Sequence, residues 1–399
     1  MGVVIRFLIG WWGEGFQGGN DIPYRINHIF VPKLKDKINK IYAMRLSDPI
    51  LYPFSFLYDR ITRYRNRMFD LGMKKSINFD IPTVVVGNLS WGGTGKTPMV
   101  EYLIRQFKAE YQIATLSRGY GRKTSGFLLA VDGLTARDIG DEPFQIYGKF
   151  GNEITVAVGE ERILAIPQIL AERPATDLIL LDDAFQHRYV KGDVNILLTT
   201  YQRPFFKDRI LPLGTLREHP KGASRADVIV VTKCPNGLDA KTKEEYAGKI
   251  REYAQMNTLV IFAGLKYGEA YHIFTGEPIG NVRQVILLSG IANNEVLKEE
   301  IKRKYGLLAV LEFPDHHKYS EKDLQHLFSV YQKHAGETPV VITTEKDAVK
   351  LKAHKSLNYL REIPIFALPV EIKLNPAEED ELLSLTTKII REKKLRSEN

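Results

Sequence analysis

The fifteen residues VVVGNLSWGGTGKTP, at 84–98, hold the densest chemistry in the chain. Gly92, Gly93 and Gly95 flank Thr94 in a turn whose backbone is free to take positive φ, so successive N–H groups can point inward and cradle phosphate oxygens. Lys96 then supplies a point charge for the β and γ phosphates, and the Thr97 hydroxyl stands where Mg²⁺ is usually held. The pattern G-x-x-x-x-G-K-[ST] is met at every position but the first, where Ser90 replaces glycine. The expectation is nucleotide binding by Gly92, Gly93, Thr94, Gly95, Lys96 and Thr97. A glycine-rich turn with a solvated lysine is the plain alternative. It gives no reason for three glycines and Lys-Thr directly after a hydrophobic strand.

Other candidates stand where strands should end. LILLDD at 178–183 delivers Asp182 and Asp183 after an apolar run, where a phosphate-loop enzyme holds Mg²⁺ directly or through water; the plain alternative spends one of the two on capping a helix. DIGDEP at 138–143 offers Asp141 and Glu142 in a turn closed by Pro143, for accepting a hydroxyl proton or coordinating metal. In SRGYGRK at 117–123, Arg118 and Arg122 are suited to clamping a phosphate on an acceptor. FPDHHKYS at 313–320 brings Asp315, His316 and His317 before a helix capped by Ser320. Adjacent histidines point apart, so one catalytic imidazole with one surface neighbour fits better than a metal pair.

The elements that must position these groups alternate strand and helix, as in a parallel α/β sheet. Val84–Val86 make a β-branched run suited to a strand buried on both faces. Further strands are expected at 112–117, 154–159, 177–182, 194–199 and 228–233. Residues 257–283 read as a two-stranded linker and hinge. A second set follows at 285–290, 308–312, 339–343 and 364–369, with helices at 293–304 and from Pro376. The expected fold class is α/β, a phosphate-loop NTPase-like, mostly parallel sheet with helices on both faces, plus a second, smaller α/β domain. The expected limits are a poorly patterned extension at 1–46, a basic amphipathic helix at 47–75, a nucleotide-binding domain at 76–256, the linker at 257–283 and the smaller domain at 284–399.

Composition fits a large two-domain enzyme of 399 residues. The single cysteine, Cys234, excludes a disulfide framework and a thiolate metal site and fits a reducing compartment. A net charge of +8 favours anionic partners such as phosphates or acidic lipid surfaces without singling one out, and leaves nucleic acid open as a weak alternative. No stretch approaches the roughly 20 apolar residues that span a bilayer. In DPILYPFSFLYDRITRYRNRMFDLGMKK at 48–75, Phe54, Leu57, Tyr58, Ile61, Tyr64 and Met68 recur at spacings of three and four. Six basic residues lie between Arg60 and Lys75 against the single acid Asp70. At roughly 1 kcal/mol for each basic residue near an anionic leaflet, charge contributes about 5 kcal/mol, and insertion of Phe54, Phe56 and Leu57 adds to it. The expectation is a helix lying on a membrane surface; the alternative is the same helix packed on its own domain.

The ordered set VVVGNLSWGGTGKTP, SRGYGR, GDEP, DDAFQHR, LPLGTLRE, FPDHH and TTEKDAVKL closely resembles the tetraacyldisaccharide 4′-kinases, the lipid A 4′-kinases of Gram-negative bacteria. The resemblance runs from about Asp48 to Leu368, and that family also carries a non-glycine residue at the loop's first position. It implies ATP and Mg²⁺ at Gly95, Lys96 and Thr97, Asp141 as the base on the sugar 4′-hydroxyl paired with His316, and Glu142 and Asp183 near the metal. It also implies contacts from Arg118, Gln186, His187 and Arg217 to substrate or phosphates. The implied acceptor is a tetraacyldisaccharide 1-phosphate, with no nucleic-acid partner, and the implied place is the cytoplasmic face of the inner membrane, held peripherally by a monomer. Ala184 and Leu213 depart from the family's usual glycine and alanine. Residues 1–46 lie outside the resemblance, with Met44 a rival start.

Phosphoryl transfer asks for positioning and charge stabilisation, supplied here by Lys96, the loop amides and Mg²⁺ while Asp141 orients the hydroxyl. An aspartate near its ordinary value of about 3.9 is a weak proton acceptor, and a neighbouring His316 can share the proton. Two other readings remain. One is a membrane-associated ATPase or GTPase switch that phosphorylates nothing, although Trp91 stands where such switches commonly place a lysine. The other is a soluble small-molecule kinase whose basic helix packs on the fold.

Overall fold

The computed structural model describes residues 32–291, 294–315, 317–354 and 360–398. A helix runs Pro32–Asp70, and Leu51–Asn399 forms one compact unit.

Its larger sheet has eight strands in the order β3-β4-β2-β5-β1-β6-β7-β8. These are β1 (Thr83–Asn88), β2 (Ile113–Ser117), β3 (Leu128–Leu129), β4 (Thr155–Val158), β5 (Leu178–Asp182), β6 (Val194–Thr200), β7 (Val228–Thr232) and β8 (Leu259–Phe262). All pairs are parallel except β3 on β4. β1 sits centrally, with Val85 level with Leu181 of β5 and Asn195 of β6. Its residues are buried on both faces, which is why the sequence shows an unbroken Val-Val-Val run rather than alternation. On one face Val84 and Val86 pack with Met99, Leu103 and Ile104 of the helix Lys96–Phe107. On the other, Val85 and Leu89 pack with Ile166 and Ile169 of the helix Arg162–Glu172. Each such fully buried aliphatic side chain contributes roughly 1.5–3 kcal/mol.

The smaller sheet has the order β10-β14-β13-β11-β12, formed by β10 (Tyr271–His272), β11 (Gln284–Ser289), β12 (Gly306–Glu312), β13 (Val340–Thr344) and β14 (Ile365–Leu368). A third, two-stranded antiparallel ribbon joins β9 (Gly264–Tyr267) to β15 (Val370–Lys373). The stretch 257–283, expected as a two-stranded linker and hinge, carries three strands. It divides among all three sheets, because β8 completes the large sheet, β9 pairs with a strand more than a hundred residues later, and β10 adds to the small one. The chain also returns after the small sheet. Ile372 of β15 and Leu382 and Ile390 of the helix Pro376–Glu398 join the core beneath Val84 and Val86. That helix is tied there by Glu378 to Lys243 at 3.1 Å and by Lys394 to Asp177 at 2.7 Å.

The helix ending at Asp70 docks through Ser55, Tyr58, Asn66 and Phe69. Ser55 Oγ donates to the Ile210 carbonyl, the Tyr58 hydroxyl to the Arg217 carbonyl, and Asn66 Nδ2 to Glu218, while Phe69 is buried. Phe54, Leu57, Ile61 and Tyr64 of the apolar stripe, and Phe56 beside them, stay more than 40% exposed. Among the described residues no helix is long and apolar enough to cross a membrane.

Candidate active site

The phosphate loop starts where β1 runs out of sheet. A Cβ on Gly87 would lie 2.6 Å from that of Phe185, so only glycine lets the two segments approach there. Asn88 is buried and donates to Thr94 Oγ1 at 2.7 Å, Thr94 N–H donates to the Gly92 carbonyl, and Thr232 Oγ1 at the end of β7 donates to the Thr94 carbonyl at 2.7 Å. The loop is thus held from two strands. Gly92 at φ 115° and Gly95 at φ 89° take the conformations that let N–H groups converge, and Gly95 begins the helix Lys96–Phe107. Ser90 pairs with Leu216 through an isolated antiparallel bridge, and Trp91 N–H donates to the Thr215 carbonyl at 2.7 Å. That backbone is extended, so the missing glycine costs nothing there.

The carboxylates after β5 divide their work. Asp183 turns out of the strand at φ 46° and meets Lys96 at 3.7 Å and Arg217 Nη1 at 2.9 and 3.0 Å. Burial would raise its pKa, but Lys96 and Arg217 outweigh that and hold it below the usual carboxylate range. Asp182 stays within the fold with Oδ1 buried and without a hydrogen-bond partner among the described residues. Burial first, then Glu142 and Asp183, push it up to about 7 against Lys96 and Arg162. Arg162, also buried, donates to the carbonyls of Gly159 and Glu160, and its own pKa falls to about 10 through burial and the neighbouring Arg118.

Asp141 and Glu142 open the helix Asp141–Phe150. Gly140 at φ 95° precedes them, and a Cβ on it would come within 3.2 Å of Gly119. The loop bearing Arg118 therefore lies against the turn bearing Asp141. Arg118 is exposed. Arg122 is not a free phosphate clamp, because its side chain is buried and bound to Glu160 at 2.6 Å and to the Gly126 carbonyl. Lys346, at the start of the helix Glu345–Lys352, lies 3.7 Å from Glu142 and 3.4 Å from Asp315, so it bridges segments of the two sheets. Nearby, Lys149 joins Glu101 and Glu345, each at 2.7 Å.

Of the remaining expected residues, Thr97 is half-buried in the first turn of its helix. Gln186 spends its amide nitrogen on the Asn88 carbonyl and Glu218. His187 is half-buried, and burial, then Arg162, Arg65 and Arg118, lower its pKa to about 4. His317 bonds Asp323 at 3.0 Å and stacks on Phe313. His316 lies outside the described residues. Among the described residues no three His, Cys, Asp or Glu side chains converge on a metal-sized point, so a cation here would draw most of its ligands from phosphate and water, as Mg²⁺ does.

Sequence reasoning gave no role to Asn88, Thr232, Arg162 or Lys346. The first two are short polar residues at strand ends, indistinguishable in sequence from caps, and Lys346 sits inside TTEKDAVKL with no spacing that ties it to Glu142.

Comparison with known proteins gives the chain a family. The family model described as LpxK, tetraacyldisaccharide-1-P 4'-kinase, matches residues 47–388. The tetraacyldisaccharide 4'-kinase of Parabacteroides distasonis is 41% identical over 353 residues, covering 86% of this chain and 94% of its own. That of Flavobacterium johnsoniae is 43% identical over 325 residues, covering 81% and 93%. A crystal structure described as the "apo" form of LpxK from Aquifex aeolicus in complex with ATP superposes with a TM-score of 0.65 at 29% identity, covering 85% of this chain and 98% of that one. This chain belongs to the tetraacyldisaccharide-1-P 4'-kinase family.

Proposed function

We propose that this kinase transfers the γ-phosphate of ATP to the 4′-hydroxyl of a tetraacylated disaccharide 1-phosphate, working on the cytoplasmic face of the inner membrane. One observation carries the reading: Lys96 of the phosphate loop, Asp183 of the Lys96–Asp183–Arg217 cluster and Glu142 of the Asp141–Glu142 turn all act on the buried Asp182, at the carboxyl end of β5 beside β1. The Aquifex relative's description as an ATP complex supports ATP as the donor.

Asp183 is already neutralised by two cations, whereas Asp182 presents a buried oxygen with no partner among the described residues. Asp182 is thus the better fit to a divalent cation, with Thr97 and Glu142 as companions and Asp183 as the anchor for Lys96. Mg²⁺ bound there would neutralise the β and γ phosphate oxygens. Lys96 and the amides of Gly93–Lys96 hold the polyphosphate in line for attack. Asp141 orients the acceptor hydroxyl and takes its proton, Arg118 flanks the acceptor, and Arg217 keeps Asp183 and Lys96 in register. His316 is offered as the partner of Asp141 on the resemblance alone.

The apolar stripe of the first helix supports the membrane reading over packing on the fold, because Ser55, Asn66 and the Tyr58 hydroxyl make the intramolecular contacts while Phe54, Phe56, Leu57, Ile61 and Tyr64 stay exposed. Incubating the full chain with γ-labelled ATP, Mg²⁺ and the lipid acceptor in mixed micelles tests the whole proposal. The label should appear on the disaccharide. Label released only as inorganic phosphate, at a rate indifferent to acceptor, would favour a hydrolysing switch.

A further inference from the structure

A second lysine stands at the phosphate loop, and neither the G-x-x-x-x-G-K-[ST] pattern nor the mechanism above uses it. Lys233 follows β7 directly, at φ 56°, a left-handed conformation that a side chain bearing Cβ rarely takes. A Cβ built on Gly93 would lie 3.9 Å from its ammonium, so the charge sits beside the loop. The strand end that carries it is fastened to the same loop by Thr232 Oγ1 on the Thr94 carbonyl. Lys233 is half-buried, yet among the described residues it makes no hydrogen bond and no ion pair within 4 Å. Burial lowers its pKa, and the more distant Asp315 only partly opposes that. A lysine held this way costs stability, and strain of this kind gathers at ligand sites.

Topology says which part of the nucleotide it faces. Lys96 points to Asp183 at the end of β5, and Asp141 and Arg118 follow on the β2 side. The transferring end of the polyphosphate therefore lies on the β5 flank of β1. β7 lies on the opposite flank, beyond β6. We propose that Lys233 is a second nucleotide ligand, binding the nucleoside-proximal end of the polyphosphate while Lys96 serves the transferring end. The proposal rests on the ATP reading above and deepens it.

Equilibrium binding of ATP and ADP to the full chain tests it, with Lys233→Met, Lys233→Arg and Lys96→Met as variants. A charge-assisted contact corresponds to roughly a 10- to 100-fold change in affinity. Lys233→Met should lose that factor for ADP and ATP alike, because both keep the proximal phosphates, and Lys233→Arg should recover most of it. Lys96→Met should lose more for ATP than for ADP. In turnover, the Lys233→Met loss should fall on KM for ATP rather than on kcat. Its melting temperature without nucleotide should stay level or rise, since a half-buried charge with no ion pair among the described residues is removed. Wild-type protein that binds ATP beside a Lys233→Met variant of equal affinity would overturn this proposal alone, as would a melting temperature that falls enough to explain the loss. Wild-type protein with no affinity for either nucleotide would overturn the ATP reading and this proposal together.

Discussion

Protonation of His187 tests the electrostatics of the cleft with a single group. Its Nε2 is buried without a hydrogen-bond partner among the described residues, and its ring meets Tyr189 edge-on at 6.0 Å between centroids. Burial first, then the positive charges of Arg162, Arg65 and Arg118, move its pKa from 6.5 to about 4. The unfolded chain lacks these effects, so between pH 6.5 and 4 it binds a proton that the folded protein refuses. The contribution is therefore fully present above pH 6.5 and is lost as the pH falls through about 4. At about 1.4 kcal/mol per pH unit, the loss is at most roughly 3 kcal/mol. His187→Gln cannot titrate and should lack this component, so the stability gap between wild type and variant should change by up to that amount between pH 7 and 4. A histidine NMR titration reads the group directly, and the C2 proton signal absent from His187→Gln should have a midpoint near pH 4. A midpoint near 6.5 would refute the burial and the arginine field together, and would make His187 largely a cation below neutral pH beside the phosphates.

Three further outcomes follow from the same contacts. With EDTA present, Asp182→Asn should be more stable than wild type at pH 8 by a few kcal/mol, with the gain fading toward pH 5, because a carboxyl with a raised folded pKa stabilises below its unfolded value and loses that stability as the pH rises through about 7; equal denaturant midpoints at pH 8 would contradict it. Changing Phe54, Phe56 and Leu57 together to serine should weaken sedimentation with anionic vesicles by tenfold or more, with melting unchanged, since all three side chains are exposed; undiminished sedimentation would remove that face from the membrane. Lys346→Met breaks the Glu142–Asp315 bridge and should lower kcat/KM for the lipid acceptor about tenfold while ATP affinity holds; wild-type kinetics would make the bridge incidental.

The large sheet was legible because doubly buried parallel strands read as β-branched runs between turn residues, as at Val84–Val86 and Val228–Val231. The phosphate loop was legible because its glycines and Lys-Thr follow such a run at once. Non-local pairing was not. Nothing in GLKY or VEIK announces that Gly264–Tyr267 and Val370–Lys373 form one ribbon, and periodicity shows that the last helix has an apolar side without saying which core receives it. The first helix shows the same limit in reverse, since its apolar stripe is patent in sequence while the docking contacts of Ser55, Tyr58 and Asn66 are not. Asp182 and Asp183 are adjacent and chemically equal in sequence. Only the left-handed turn at Asp183 sends one to Lys96 and Arg217 and leaves the other buried without a partner among the described residues.

The proposed reaction passes a loop-held γ-phosphate to a hydroxyl that Asp141 orients. Single-turnover transfer from labelled ATP to the lipid acceptor, measured by rapid quench for wild type and Asp141→Asn, tests it most directly. Transfer should slow by about 100-fold or more while ATP affinity stays within about twofold. Transfer at the wild-type rate by the asparagine variant would contradict it.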